Sequence, residues 1–133
     1  MKIPKTLNLD LLKANAVSAM AFARCRRSNL RVGCAVLDTK NTIYTGANVE
    51  VLWQRCYHAE ETAIIGAMAH DAGEIRAVCI ACDRRLFTPC GHCMDVIIEF
   101  CKKDGIVMHY NPRTKKESIF SLEDLMPHYP TRD

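Results

Sequence analysis

The sequence lacks the segments that would place a chain in a membrane or export it. No apolar run approaches the ~18–20 residues that a membrane-spanning helix needs. Residues 1–5 lead into a charged helical pattern and not into the apolar core of a signal peptide. Internal repeats, low-complexity stretches and linkers are also missing. We therefore expect a single cytoplasmic domain over residues 1–133 that has no membrane partner.

Neither charge sign dominates the 133 residues. Eighteen basic residues oppose fifteen acidic ones, which leaves a formal net charge of +3. This balance neither demands nor excludes a nucleic-acid partner, although none is expected. A hydrophobic share of 49% and a charged share of 25% are typical of globular proteins. Disordered and fibrous classes are therefore excluded.

Cysteine is the abundant residue, with eight in the chain. In the reducing compartment expected here, a disulfide framework is a poor explanation. Metal ligation, catalysis and packing as a small apolar residue remain. Cys79 and Cys82 lie three apart in a predicted strand, so they should point to opposite faces and cannot chelate together. The cysteines that fall inside apolar patterns are Cys25, Cys34, Cys79 and Cys101.

Apolar periodicity and turn residues predict the element order α-β-β-α-β-α-β-α. The predicted helices are 8–27, 58–72, 91–103 and a short one that Ser121 begins, with Asp124 in the capping-box position. The predicted strands are 31–37, 42–49, 75–82 and 106–110, and residues 111–117 are predicted to be a polar loop. The strand–helix–strand unit from 75 to 110 predicts a parallel pair, and hence a mixed sheet.

Two short segments carry the chemistry, and each lies at the start of a predicted helix. They are His58-Ala59-Glu60 and Pro89-Cys90-Gly91-His92-Cys93. Two cysteines three apart and one histidine can hold a zinc ion and leave its fourth position open to water. Glu60 would lie beside that water as a proton carrier. The pattern H-x-E…P-C-x-x-C is the signature of zinc deaminases that act on nucleobases.

Other interpretations of the same residues stay open at this point. Cys56 could replace His58 as the third ligand. A protein of a different class, a thiol–disulfide oxidoreductase, could use Cys90 and Cys93 as its redox pair. That hypothesis leaves His58 and Glu60 without a role, and too few residues follow Cys93 to complete a thioredoxin-like fold. A non-catalytic binding protein on a deaminase scaffold is a third hypothesis.

At these segments the chain resembles the cytidine deaminase family, short single-domain zinc enzymes that act on free nucleosides. Residues 46–50, Gly-Ala-Asn-Val-Glu, are similar to the family's G-x-N-V-E segment. Residues 58–64 resemble C/H-A-E-x-[TS]-A-I, and residues 88–93 resemble S-P-C-G-x-C. The resemblance implies a three-layer α/β sandwich in which helices flank a mixed sheet of about five strands. It also implies one zinc ion per chain, with His58, Cys90 and Cys93 as ligands.

The resemblance further implies an activity and an assembly. Glu60 would be the catalytic residue, Asn48 and Glu50 would hold the ribose, and Ala59 would help to orient the base. The implied reaction is hydrolytic deamination of cytidine and deoxycytidine in pyrimidine salvage. A modified cytosine nucleoside of the antibiotic type, or a nucleotide, is the alternative substrate. A homo-oligomer is implied, with a tetramer favoured and a dimer possible.

Two features of the sequence depart from the short members of that family. His58 stands where they usually present a third cysteine. Zn²⁺, two thiolates and a neutral imidazole sum to zero charge, whereas three thiolates would leave a net −1. Glu61 occupies a position where the three-cysteine enzymes often carry an arginine. A site that is already neutral does not need that arginine.

Overall fold

A mixed five-stranded sheet forms the centre of the computed structural model, which describes residues 3–5 and 7–129. The strand order is β2-β1-β5-β6-β7, and β5 and β6 are the parallel pair. The other neighbouring strands are antiparallel. The strands are β1 (Gly33–Asp38), β2 (Ile43–Ala47), β5 (Ile75–Ala81), β6 (Cys101–Tyr110) and β7 (Glu117–Ser121), with β3 (Val49–Glu50) and β4 (Cys56–Tyr57) in a separate two-stranded ribbon.

Helices cover both faces of this sheet. One face packs against α1, and the other packs against α2 and α3. The helices are α1 (Leu9–Ala19), α2 (Ala59–Ala69), α3 (Gly91–Phe100) and the short α4 (Leu122–Leu125). The predicted three-layer sandwich is therefore confirmed. In the part of the chain that the structure describes, no helix is long and apolar enough to cross a membrane.

Side chains alternate between the two layers along each central strand, as the strand period of two requires. In β1, Cys34 and Val36 belong to the core under α2 and α3, whereas Ala35 and Leu37 belong to the core under α1. Cys79 likewise lies on the α1 side and Cys82 on the opposite side. This confirms that these two cysteines cannot chelate together.

The first helix ends earlier than predicted, at Ala19 and not at residue 27. A 3-10 turn follows, and the chain then extends to pair with β3 through reciprocal main-chain hydrogen bonds. The Arg24 N–H donates to the Asn48 carbonyl, and the Glu50 N–H donates to the Arg24 carbonyl. A pairing partner about 25 residues away thus overrides the local helical pattern.

Boundaries in the second half of the chain also differ from the prediction. The helix predicted over 91–103 ends at Phe100, and β6 begins at once with Cys101. The pairing of β5 with β6 shifts between Ile75 and Ala77, which lie opposite Cys101 and Ile106. The prediction lacks the strand β7, because it places Glu117 in the polar loop and gives residues 118–120 no element. The capping box of α4 is present, with Asp124 N–H donating to Ser121 Oγ at 3.0 Å.

Close packing of β2 against α2 fixes where α2 begins. A Cβ atom on Gly46 would lie 2.4 Å from the Ala63 amide nitrogen, so only glycine permits this approach. The Thr62 hydroxyl reaches both the Ala47 and the Ala59 carbonyls at 3.0 Å. Together these contacts hold the first turn of α2 beside the end of β2.

Candidate active site

Three metal-binding side chains meet at the N-termini of α2 and α3. His58 precedes α2, Cys90 precedes α3, and Cys93 lies in the first turn of α3. His58 Nδ1 lies 3.3 Å from the Sγ atoms of both cysteines. The three ligand atoms lie within 4.8 Å of one another. The structure therefore brings together the three residues that the sequence predicted as ligands.

The donor set and its spacing fit a zinc ion. Tetrahedral zinc with ordinary Zn–N and Zn–S bonds places a nitrogen and a sulfur ligand about 3.5 Å apart, close to the observed separation. Burial raises the pKa of the Cys93 thiol, and the nearby Glu60 and Cys90 raise it further. A divalent cation opposes these effects and favours the thiolate form. The cluster is thus suited to a cation that prefers sulfur and imidazole ligands.

Glu60 lies in the first turn of α2, and its side chain faces the cavity beside the cluster. The residue is only 2% exposed. Burial raises the pKa of the Glu60 carboxyl, while its own main-chain N–H and the nearby His58 partly oppose that rise. A buried carboxyl beside three metal ligands is the group that proton transfer requires at such a centre.

One cavity of about 350 Å³ joins the metal cluster to the predicted sugar-binding residues. Its lining includes His58, Glu60 and Cys90, here called the metal end, and Asn48 and Glu50, here called the sugar end. Its volume falls within the range usual for small-molecule sites. The remaining lining residues are Ser28, Leu30, Val32, Cys56, Ala59, Phe87 and Thr88.

Asn48 lies at the cavity wall with its amide held by the main chain of the 30–32 segment. Its Oδ1 accepts from the Val32 N–H at 2.9 Å, and its Nδ2 donates to the Leu30 carbonyl at 2.8 Å. An amide offers two donor hydrogens and two acceptor lone pairs, so one of each remains for a ligand. The side chain is therefore oriented before any substrate arrives.

Glu50 is held in a similar way, by the main chain that follows α1. Its Oε1 accepts from the Arg27 N–H at 2.8 Å, and the Ser28 N–H lies 3.3 Å from each carboxylate oxygen. Hydrogen bonding by Ser28, followed by that of Arg27, lowers the pKa of the Glu50 carboxyl. Glu50 is thus a preoriented anion at the sugar end of the cavity.

Asn48 and Glu50, to which the resemblance assigns the ribose, both line this cavity, although they do not share one long strand. The main sheet ends at Ala47, and Glu50 lies in the separate strand β3. Ser28 and Phe87 are among the lining residues that sequence reasoning missed. The aromatic ring of Phe87, directly before the Thr-Pro-Cys segment, is a signal that could have identified it.

The alternative uses of the cysteines do not fit this arrangement. Cys56 lines the cavity, yet it is not part of the three-residue metal cluster, in which His58 supplies the nitrogen. The proximity of His58 to both Cys90 and Cys93 favours metal ligation over a redox pair. All eight cysteines are free thiols.

Deamination of a nucleobase by a zinc hydrolase needs three protein ligands, an open fourth position and a carboxyl group beside it. This chain provides three such ligands and the carboxyl group of Glu60 at two helix N-termini above a mixed sheet. Fold and site together define a zinc-dependent deaminase.

Comparison with known proteins narrows this class to a family. The family model described as "Cytidine and deoxycytidylate deaminase zinc-binding region" matches residues 8–109. The chain belongs to the cytidine and deoxycytidylate deaminase family.

Relatives from several organisms agree with this assignment. A probable cytidine deaminase of Dictyostelium discoideum is 31% identical, over 84% of this chain and 82% of its own length. A cytidine deaminase of Mycobacterium tuberculosis is 30% identical, over 87% of this chain and 92% of its own length. The crystal structure of cytidine deaminase from Burkholderia pseudomallei superposes with a TM-score of 0.87 at 29% identity. That match covers 93% of this chain and all of the other.

Proposed function

We propose that the protein hydrolyses cytidine and deoxycytidine to uridine and deoxyuridine, with release of ammonia. The observation that carries this proposal is the single cavity between the metal cluster and the pair Asn48 and Glu50. One end presents deaminase chemistry, and the other presents groups suited to a sugar hydroxyl. A nucleoside spans two such ends, whereas a free base occupies only the first.

Glu60 moves the protons in the proposed reaction. When held by His58, Cys90 and Cys93, zinc supplies a water molecule whose pKa is lowered to ~7. The Glu60 carboxylate takes a proton from the attacking water and delivers it to N3 of cytosine, and the water oxygen forms a bond to C4. Glu60 then carries the remaining hydroxyl proton to the amino nitrogen. The C4–N bond breaks, ammonia leaves and the uracil carbonyl forms.

Burial of Glu60 supports this role, because a carboxyl shielded from bulk water transfers protons within the cavity. Ala59 lies directly before it in the first turn of α2 and also lines the cavity. We assign the main chain of Ala59 to orientation of the base. Phe87 lines the same cavity and offers a flat apolar surface to a pyrimidine ring.

Asn48 and Glu50 are the proposed ribose-binding residues. A carboxylate accepts the hydrogen of a sugar hydroxyl, and an amide N–H donates to the lone pair of its oxygen. Their preorganised orientation supports this role, since less side-chain entropy is lost when the sugar binds. The proposed biological setting is pyrimidine salvage in the cytoplasm.

Ammonia release from a panel of substrates tests the proposal. The panel contains cytidine, deoxycytidine, cytosine, a cytosine nucleotide, a cytosine-containing antibiotic nucleoside and adenosine. We expect turnover of the two simple nucleosides to exceed that of free cytosine. A preference for the free base would contradict ribose recognition. A preference for the nucleotide or the antibiotic would replace the proposed substrate but keep the chemistry.

We further propose that the protein is a homo-oligomer, with a tetramer favoured over a dimer. Large apolar side chains near the cavity support self-association, because exposed apolar groups are costly in water. Leu52 is 73% exposed and Trp53 is 84% exposed, in the turn that joins β3 to β4. Light scattering at micromolar concentration tests this, and a monomeric mass would contradict it.

A further inference from the structure

The Glu61 carboxylate joins the two helix starts that carry the metal-binding side chains. One oxygen, Oε1, accepts from the His58 N–H at 2.7 Å. The other, Oε2, lies 2.7 Å from Nε2 of His92. The Glu61 side chain is only 13% exposed, so its position is held by packing as well as by these contacts. The mechanism above gives neither Glu61 nor His92 a role.

Both residues that the Glu61 carboxylate contacts belong to segments that carry metal ligands. His58 is itself a ligand, and its main chain is the N-cap of α2. His92 lies between the ligands Cys90 and Cys93 in α3. Along the chain, the strand β5 separates α2 from α3. The starts of the two helices are therefore not held together by a short loop. A shift of one helix start against the other would therefore change the distance from the imidazole to both sulfurs.

We propose that Glu61 and His92 are positioning residues, which fix the His58 ligand relative to the two thiols and so slow zinc release. The inference rests on the zinc ligands assigned above and not on the identity of the nucleoside. Neither residue is among those that line the proposed substrate cavity. We call this contact the Glu61–His92 bridge.

The bridge acts through geometry and not through charge. The contact needs only one hydrogen between Nε2 and Oε2, which a neutral imidazole provides. An exposed ion pair by itself contributes little to stability, and the His92 side chain is 69% exposed. Its influence arises because the partner carboxylate is fixed by the His58 N–H. Substitution of residues that orient metal ligands from outside the ligand set commonly changes metal affinity by 10- to 100-fold.

The bridge also borders the route by which a chelator could reach the ligands from outside. A shallow depression of about 290 Å³ lies on this side of the cluster. His58, Glu61 and His92 are among its lining residues, together with Arg55 and Tyr57. Loss of either partner would both loosen His58 and open this depression. Both effects speed the loss of zinc.

Zinc release into an excess of a chromogenic chelator tests the proposal directly. We expect Glu61→Ala and His92→Ala each to release zinc about 10- to 100-fold faster than wild type. The double variant should release zinc no faster than the faster single variant, because both substitutions remove one contact. Glu61→Gln keeps a hydrogen-bonding side chain and should stay nearer to wild type than Glu61→Ala.

A matched control and a second measurement separate positioning from general damage. His70→Ala removes a histidine from the other end of α2, where His70 Nδ1 contacts the Gly66 carbonyl, and should leave the release rate unchanged. In zinc-loaded Glu61→Ala and His92→Ala, kcat for cytidine should fall while KM stays constant. If Glu61→Ala does not fold, His92→Ala alone tests the bridge, because the His92 side chain is 69% exposed and its removal leaves the core intact.

The outcomes distinguish this proposal from the proposed function. Release at the wild-type rate from folded alanine variants, or additive effects in the double variant, would overturn the bridge and leave the deaminase assignment intact. A raised KM at constant kcat would also overturn it, because it would place these residues against the substrate. A wild-type protein that holds no zinc would overturn both proposals.

Discussion

The two carboxyl groups of the cavity, Glu60 and Glu50, are placed in opposite environments. Glu60 at the metal end is buried in the first turn of a helix, and burial raises the pKa of its carboxyl. Glu50 at the sugar end is half-buried, and hydrogen bonding by the Ser28 side chain, followed by the main-chain N–H groups of Arg27 and Ser28, lowers the pKa of its carboxyl. A proton carrier and a permanent hydrogen-bond acceptor can therefore lie in one cavity with separate functions.

The largest expected effect comes from a substitution that removes the zinc ion, and with it all activity. Cys93→Ala removes a buried ligand, so zinc should be lost and turnover should become undetectable. Elemental analysis and an ammonia assay measure both. Cys79→Ala is the matched control, because Cys79 is equally buried but lies on the α1 side of the sheet. That variant should keep its zinc, and zinc retained in Cys93→Ala would remove Cys93 from the ligand set.

Glu60→Gln should abolish proton transfer without removing the metal. The amide is similar in size to the carboxyl but cannot carry the proton, so kcat should fall by about 10²- to 10⁴-fold. Zinc content and KM should change little. Glu123→Gln, at an exposed position in the first turn of α4, is the control for loss of an acidic residue at a helix start. A Glu60→Gln variant that turns over normally would assign the proton carrier elsewhere.

The metal end could be predicted from the sequence because its side chains come from two short segments. His58 and Glu60 lie two apart, and Cys90 and Cys93 lie three apart, each pair at a helix start. The spacing within each segment fixes the local geometry. Only the approach of α2 to α3 depends on the rest of the fold.

The sugar end could be predicted only in part. Alternation along one strand predicts that Asn48 and Glu50 face one side, yet in the structure Asn48 lies between β2 and β3. No sequence pattern predicts the groups that hold the two side chains. Asn48 is bound by the 30–32 segment, and Glu50 is bound by the 27–28 segment. Those contacts require α1 to end at Ala19, against its own helical pattern. Pairing between distant segments determines where α1 ends, and no local sequence pattern predicts that end.

Glu50→Ala should cause a smaller loss than Glu60→Gln, and of a different kind. A missing charge-assisted hydrogen bond to the sugar should lower kcat/KM for cytidine about 10- to 150-fold. Both constants should change, since remote binding energy also positions the reacting carbon. Glu74→Ala, at an exposed position far along the chain, should have wild-type kinetics. Steady-state kinetics that are unchanged in Glu50→Ala would show that the cavity does not bind ribose through this residue.

Gly46→Ala tests the packing that connects the two ends. Its new Cβ would lie 2.4 Å from the Ala63 amide nitrogen, so β2 and the start of α2 must separate. We expect a loss of about 1–3 kcal/mol in the free energy of unfolding, measured by urea denaturation. Gly66→Ala is the matched control within α2, where an added Cβ meets no atom within 4 Å. It should be neutral or should stabilise the protein by up to about 1 kcal/mol.

The smallest expected effect concerns the KM for cytidine, which should not depend on pH near neutrality. Hydrogen bonds from Ser28 and Arg27 lower the pKa of Glu50, so the carboxylate stays charged until the pH falls below the ordinary glutamate value of about 4.3. Because its folded-state pKa lies below the unfolded value, the stability that Glu50 contributes is also complete above that value and is lost only as the pH falls through the folded pKa. The KM for cytidine should therefore stay constant between about pH 8 and pH 5.5. In Ser28→Ala the largest cause of the lowered pKa is removed, so KM should begin to rise at a higher pH than in wild type. A wild-type KM that rises across this range would show that the acceptor at the sugar end titrates, and that the contrast between the two carboxyl groups is wrong.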